Sequence, residues 1–213
     1  MLDVQAKAVL QLAEPRKGGT VLDVGGGHAQ LGGPLSEAGY QVTILGSDPV
    51  CGERPRKLLA GRAVEYATGD IINPPFVDGS FDVVLAFRLM AHVRDWPGML
   101  RGLCRVARYA VVIDFATPMS VNAVSGLFFG AKKKIEGNTR PFALQRRGHV
   151  QRIFAQWGYS HFRHIGQFVA PMAVHRAMQK PGVSKVVEAV AHGLGLGYCL
   201  GSPVVLRATK TRL

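Results

Sequence analysis

The feature that most constrains the fold is residues 21–27, where a short apolar run meets an acidic residue and then breaks into glycines. Residues 21–24 predict a buried β-strand that carries one charged side chain, Asp23. The three glycines that follow are Gly25, Gly26 and Gly27. They allow a sharp turn and leave no side chain between the backbone and a ligand. From Leu31 onward a helix can begin, so the arrangement predicts a site for a nucleotide-like ligand at a helix N-terminus.

The acidic residue narrows the class of ligand. A dinucleotide pyrophosphate is anionic, so a carboxylate beside the glycine turn is a poor host for it. The methionine part of S-adenosylmethionine (SAM) carries an ammonium and a sulfonium, which a carboxylate stabilises. We therefore expect Asp23 to orient the methionine end of SAM, the alternative being an acid that caps the following helix. A nicotinamide-dependent oxidoreductase is the weakest reading, because Gln30 stands at the sixth position of a GxGxxG motif counted from Gly25.

Strands and helices alternate along the chain. Further strands are expected at residues 41–45, 63–66, 81–86, 110–113, 162–169 and 203–209, and helices at 4–13, 54–59, 95–106, 120–134, 150–157 and 171–196. In the helix that begins at Asp95, an apolar stripe is expected to be buried while Arg101, Arg105 and Arg108 face away. The pattern predicts an α/β fold with a doubly wound, mostly parallel, seven-stranded sheet. We expect one domain, with residues 1–115 binding the cofactor and residues 116–213 forming a helical substrate lid.

Ligands of such sheets bind beyond the carboxyl ends of the strands. The side chains that fall at or just after the predicted strand ends are Asp23, Asp48, Asp70, Phe87 and Asp114. Core packing does not explain why acidic residues gather on one edge. The positions therefore favour a ligand site there.

Several motifs, in their order along the chain, resemble those of the class I SAM-dependent methyltransferases, in particular the bacterial branch of ubiquinone/menaquinone-type and other small-molecule enzymes. The resemblance is carried by residues 21–27, Asp48, residues 69–71, residues 75–84 and residues 92–106. It covers roughly residues 18–115, and the remainder agrees only in the order of its elements. The family often has a further glycine where this chain has Ala29, a side chain small enough to keep the helix packed on the strand.

The resemblance implies roles for the residues at the strand ends. Asp48 would accept hydrogen bonds from the ribose hydroxyls, and Asp70 from the adenine amino group, with Ile71 packing on the ring. The alternative for both aspartates is an ordinary turn residue. The full set of expected cofactor-binding residues is Asp23, Gly25, Gly26, Gly27, Asp48, Pro49, Asp70, Ile71 and Phe87.

Methyl transfer from SAM chiefly requires alignment and exclusion of water, so a catalytic residue is optional. His92 follows the fourth strand and is the candidate general base, since imidazole titrates near neutral pH; the alternative is a histidine that packs on or caps the next helix. Arg88 on the same loop is the candidate anchor for an acidic substrate, the alternative being a solvated arginine. The further expected substrate contacts are Phe128, Arg140, His175 and Arg176.

Charge is unevenly distributed. Residues 1–110 hold 12 Lys+Arg and 11 Asp+Glu, whereas residues 111–213 hold 14 and 3, which together give the net charge of +12. The second half therefore favours an anionic partner, or is simply a solvated basic surface. The leading interpretation is methyl transfer to a small acidic or amphiphilic molecule, and contact with an anionic membrane surface would fit the same charge. The alternatives are an RNA methyltransferase, for which no binding module or stacking aromatics are recognised, and a non-catalytic SAM-binding protein.

Further sequence features bear on cellular location, metal binding and the type of methyl acceptor. No apolar run reaches the ~18 residues of a membrane span, and the N-terminus lacks a signal-peptide pattern. Three cysteines without CxxC spacing predict reduced thiols, no metal site and a cytoplasmic location. Residues 73–76 read Asn-Pro-Pro-Phe, which resembles a motif of nitrogen-methylating enzymes. Because this motif precedes the fourth strand here instead of following it, we interpret it as a turn.

Overall fold

The structure, a computed structural model, describes residues 9–12, 18–118, 143–166 and 202–211. The strands are β1 (Thr20–Val24), β2 (Gln41–Gly46), β3 (Val64–Thr68), β4 (Phe81–Ala86), β5 (Ala107–Phe115), β6 (Tyr159–Gly166) and β7 (Val204–Lys210). The helices are α1 (Gly32–Glu37), α2 (Glu53–Leu58), α3 (Trp96–Val106) and α4 (Arg147–Gln156), with 3-10 turns at Pro49–Gly52 and Met90–His92. Residues 9–12 are also helical. The helices expected at residues 120–134 and 171–196 lie outside the described residues.

All seven strands form one sheet in the order β3-β2-β1-β4-β5-β7-β6. The first five strands run parallel, and β7 is antiparallel to both of its neighbours. Strands from both halves of the chain therefore build the same sheet. The expected mostly parallel, seven-stranded α/β sheet is confirmed.

Both faces of the sheet are covered, because residues in sequence along a strand point to opposite sides. In β1, Leu22 and Val24 belong to a buried cluster that includes α3 and α4, whereas Val21 belongs to a second cluster that includes α1 and residues 9–12. Continuous apolar strands are typical of sheets buried on both sides. This two-sided burial is the doubly wound arrangement that the alternating sequence predicts. No helix among the described residues is long and apolar enough to cross a membrane.

Helix α3 begins and packs as the sequence indicates, with one correction. The Asp95 carboxylate accepts a hydrogen bond from the Gly98 N–H at 2.9 Å and caps the first turn. Arg105, expected to face away, is half-buried and donates to four oxygens of the loop at residues 73–78. Helical periodicity identifies the stripe that packs on the sheet, but it does not show what packs on the opposite side. The same bonds fix the Asn-Pro-Pro-Phe segment as a loop before β4.

Candidate active site

The register of the sheet brings the carboxyl ends of β1 to β5 to one edge, here called the carboxyl edge. Val24 lies opposite Leu45 on β2 and Ala86 on β4, and Ala86 lies opposite Ile113 on β5. At the end of β2, Gly46 lies opposite Thr68 on β3. The residues that lie within two positions of these strand ends are Asp23, Gly25, Asp48, Asp70, Phe87 and Asp114. The structure thus brings together the strand-end residues that the sequence singled out.

The glycine turn follows β1 and lies against three neighbouring segments, which are β2, the 3-10 turn at Pro49–Gly52 and the loop after β4. Gly25 has φ of +77°, and its N–H donates to the Leu45 carbonyl at 2.8 Å. A Cβ on Gly25 would lie 3.2 Å from the side chain of Leu89, and one on Gly27 would lie 3.3 Å from the carbonyl of Cys51. A Cβ on Gly26 would overlap the Asp23 carboxylate. A side chain at position 26 would therefore displace the Asp23 carboxylate.

Asp23 is a buried acid, with 2% of its surface exposed. Burial raises the pKa of its carboxyl from 3.8 to about 7. It does not cap the following helix, because the N-cap of α1 is Leu31 and no side chain bonds there. The capping alternative is therefore wrong. A carboxylate that has lost its hydration is stabilised by a cation placed beside it, so its chemistry fits the ammonium or sulfonium of SAM.

Asp48 and Asp70 are exposed and share a local geometry. The Asp48 carboxylate accepts from the Val50 N–H, and the Asp70 carboxylate from the Ile72 N–H, each at 2.8 Å. Both therefore act as turn aspartates, as the alternative proposed. Because a carboxylate has about four acceptor sites, this role leaves capacity for ligand donors. Their position at the carboxyl edge fits hydroxyl and amino groups of a nucleoside.

Tyr66 is a positioning residue that the sequence did not reveal. Its hydroxyl donates to the backbone carbonyl of Asp48 at 2.8 Å. A Cβ on Gly46 would overlap its hydroxyl, and a Cβ on Gly52 its ring. Two glycines distant from the glycine turn thus make room for a side chain that fixes the Asp48 loop. No local pattern around Tyr66 indicates this contact, since its partner lies 18 residues away.

The loop after β4 carries the next group of predicted residues. Phe87 is half-buried and packs against the apolar cluster that includes α1. Arg88 is exposed and has φ of +57°, and its backbone N–H donates to Asp114 Oδ1 at 2.6 Å. Asp114 is 4% exposed, so its side chain is turned inward. Burial raises the pKa of Asp114 to about 6, opposed by the N–H and the guanidinium of Arg88.

His92 ends the 3-10 turn at Met90–His92, four residues after Arg88, and its side chain is exposed. Its backbone N–H donates to the Leu89 carbonyl at 2.9 Å. His92 thus lies in the same connection between β4 and α3 as Arg88. Its role as a base remains a prediction. The other expected substrate contacts, Phe128, Arg140, His175 and Arg176, lie outside the described residues.

A cavity of about 590 Å³ lies away from these residues. It borders one side of α3 and the loop at residues 72–79, and Trp157 and Lys210 also line it. None of the glycine-turn residues, nor Asp23, Asp48 or Asp70, is among its described lining residues. Volume alone would place a ligand there. The buried carboxylate and the strand-end acids favour the carboxyl edge instead.

The strand order with an antiparallel β7, the glycine turn after a strand with an acid as its penultimate residue, and the acids after β2 and β3 together define a Rossmann-like class I methyltransferase fold. A family model described as a methyltransferase domain matches residues 3–188. The chain therefore belongs to the SAM-dependent methyltransferase family.

Three known proteins show how this chain is related. It is 28% identical over 172 residues to the ubiquinone biosynthesis O-methyltransferase of Methylobacterium sp. (strain 4-46), covering 80% of this chain and 61% of that protein. It is 30% identical over 115 residues to the 2-phytyl-1,4-naphtoquinone methyltransferase of Synechococcus elongatus, covering 49% of each. The match thus spans about half to three fifths of these relatives' length. The crystal structure of magnesium protoporphyrin IX methyltransferase from Synechocystis PCC 6803, with bound S-adenosylhomocysteine (SAH), has 16% identity and a TM-score of 0.68, covering 99% of this chain and 82% of that chain.

Proposed function

We propose that this protein transfers a methyl group from SAM to a small acidic or amphiphilic molecule by in-line displacement. The observation that carries the proposal is the buried Asp23 carboxylate beside the glycine turn, at the same sheet edge as Asp48 and Asp70. When bound, SAM supplies a methyl carbon already activated by its positive sulfur. The task of the chain is then to hold donor and acceptor in line and to exclude water.

On the cofactor side, each residue has a distinct task. Asp23 holds the ammonium of the methionine end. Burial disfavours the ionised form of its carboxyl, and a cation bound beside it stabilises that form. Asp48 accepts from the ribose hydroxyls, in a loop that Tyr66 fixes. Asp70 accepts from the adenine amino group, while the half-buried Ile71 packs on the ring. The glycine turn lets the backbone approach the ligand closely.

On the substrate side, the exposed Arg88 binds an anionic group of the acceptor. His92 accepts a proton where the attacking atom carries one. The expectation that all of residues 116–213 serve as a substrate lid needs one correction, because α4, β6 and β7 belong to the sheet and its core. Within this half, the proposed substrate contacts remain Phe128, Arg140, His175 and Arg176. Relatives named for quinone and porphyrin methylation support a small-molecule acceptor. The surplus of basic residues in the second half suits an acidic acceptor or a docked anionic membrane.

The first test is the affinity for SAH, measured by calorimetry on the wild type and on two aspartate variants. We expect Asp48→Ala to weaken SAH binding about tenfold or more, because it removes a charged acceptor. Asp78→Asn is the matched control: Asp78 is an exposed aspartate that pairs with Arg105 away from the carboxyl edge. It should bind SAH as the wild type does. Equal affinity of Asp48→Ala and the wild type would refute the assignment.

The second test is turnover with methyl-labelled SAM and a fractionated metabolite extract. The proposal expects label in a small acidic or amphiphilic product. Binding of SAH without transfer to any fraction would favour a non-catalytic SAM-binding protein. Transfer to RNA, with an affinity that falls steeply as salt is raised, would favour the nucleic-acid alternative. Salt-sensitive binding to anionic liposomes tests the membrane contact separately.

A further inference from the structure

The loop after β4 holds Arg88 in a backbone conformation that its side chain disfavours. With φ of +57°, Arg88 lies in the left-handed region, where a Cβ crowds the backbone. Its two neighbours are half-buried: Phe87 packs against the apolar cluster that includes α1, and Leu89 lies against Gly25. The left-handed turn therefore places one exposed guanidinium side chain between two residues that are anchored in the protein.

The carboxylate of Asp114 opposes this strain. Asp114 lies on β5, one residue after Ile113, which is opposite Ala86 at the end of β4. Its Oδ1 accepts a hydrogen bond from the Arg88 N–H at 2.6 Å. It is buried, so this charged hydrogen bond is shielded from water. A strained residue persists only where its surroundings hold it in place, and such residues concentrate at functional sites. The bond thus acts as a clamp from β5 on the loop after β4.

We propose that Asp114 is a positioning residue for methyl transfer, whose carboxylate fixes the left-handed turn so that Arg88 is presented to an anionic group of the methyl acceptor. This part of the inference rests on the proposed function. The clamp itself is a property of the protein without ligand. Because Leu89 of the same loop lies against Gly25, loss of the clamp also disturbs the glycine turn. Removal of Asp114 should therefore weaken cofactor binding as well.

Three substitutions separate the hydrogen bond from the volume and the charge of the side chain. Asp114→Ala removes the acceptor, whereas Asp114→Asn keeps an oxygen that can accept from the Arg88 N–H. We expect Asp114→Ala to speed hydrogen exchange at the Arg88 amide about tenfold or more and to raise the Kd for SAH about tenfold. Asp114→Asn should restore most of both properties. Because asparagine keeps the volume of the side chain as well as an oxygen, the third variant is Asp114→Leu, which has a similar shape and no acceptor. It should behave as Asp114→Ala does, and rescue of both properties by leucine would overturn the proposal.

The matched control is Asp82→Ala. Asp82 accepts from the Thr20 N–H at 2.9 Å, so it also joins a carboxylate to a backbone amide, but at the amino end of β4. This variant should leave the Arg88 amide and the SAH affinity unchanged. Equal effects of the two alanine variants would reduce Asp114 to a general stabiliser and overturn the proposal.

The wild type supplies an independent measurement, which stands even if Asp114→Ala does not fold. The exposed Arg88 should have a protected amide because Asp114 accepts its hydrogen. Exchange at the rate of an open loop would overturn the clamp. Failure of the wild type to bind SAH would instead refute the proposed function, and the exchange rate of Arg88 would still test the clamp.

Discussion

Replacing Asp23 by asparagine should raise the stability of the fold while it weakens the site. Burial raises the pKa of the Asp23 carboxyl from 3.8 to about 7. The folded protein therefore binds this proton more tightly than the unfolded chain, so stability falls as the pH rises from about 4 to about 7. A shift of about 3 pKa units corresponds to about 4 kcal/mol of unfolding free energy lost at pH 8. Asparagine carries no charge and escapes this loss.

The expected gain in unfolding free energy is smaller than about 4 kcal/mol, because a buried amide has its own desolvation cost. Subtracting about 1 to 3 kcal/mol for an amide without full hydrogen bonding leaves a gain of about 1 to 3 kcal/mol at pH 8. Near pH 4 the wild-type carboxyl is protonated in the folded state, so only the cost of the amide remains and Asp23→Asn should be less stable than the wild type by about 1 to 3 kcal/mol. Urea unfolding at pH 4, 6 and 8 measures this slope.

The affinity of the wild type for SAH should rise with pH, whereas its stability should fall. An ammonium group binds the ionised carboxylate, which is about 10% of the unliganded protein at pH 6 and about 90% at pH 8 for a pKa of about 7. The Kd of the wild type for SAH should therefore fall about tenfold over this range. Asp23→Asn should bind SAH more weakly and lack this component. Titration of SAH itself is common to both proteins, so the ratio of their Kd values isolates Asp23.

The control for both measurements is Asp82→Asn, at the opposite end of the sheet. The Asp82 carboxylate pairs with Arg108 at 3.1 Å and accepts from the Thr20 N–H. This variant should lose stability at pH 8 and keep the wild-type pH dependence of SAH binding. The reasoning is refuted if Asp23→Asn is less stable than the wild type at pH 8, or if its SAH affinity keeps the wild-type slope.

Three further substitutions test other contacts. Tyr66→Phe removes the bond to the Asp48 carbonyl, so the Kd for SAH in calorimetry should rise about threefold to tenfold. Ala29→Gly relieves a left-handed φ of +58° and should raise the unfolding free energy in urea by about 0.5 to 1 kcal/mol, whereas Ala38→Gly, at φ of −77°, should lower it by a similar amount. Arg105→Ala leaves several loop oxygens unpaired and should cost about 2 kcal/mol or more, measured by the same urea unfolding.

Much of the sheet could be predicted because its signals are local. The strand at residues 81–86 has the bounds expected from its apolar run, and β2 extends one residue beyond residues 41–45. The alternation of strands with helices implies that the strands run parallel. Parallel strands have their carboxyl ends at the same edge of the sheet, as β1, β2 and β4 do. Asp48 and Asp70 lie at one edge because each follows a strand and the strands run parallel.

The contacts that shape the site could not be predicted, because they join residues far apart in sequence. Asp114 was expected at the edge as one more acid, and the structure shows its side chain turned inward to Arg88, 26 residues away. Arg105 was expected to be solvated, and it holds a loop about 30 residues earlier. Helical and strand periods describe which way a side chain points. They contain no information about what lies opposite.

Locally unfavourable features concentrate at the carboxyl edge of the sheet. Asp23 is buried with a raised pKa, and the two non-glycine residues of the described chain with positive φ, Ala29 and Arg88, lie in the loops after β1 and β4. At the amino edge, by contrast, the Asp82 carboxylate is paired with Arg108. Among the described residues, no ion pair is formed by Asp23. A fold selected for stability alone would neutralise that charge and relax those turns, so the difference between the two edges is itself an argument that a cationic ligand completes the carboxyl edge.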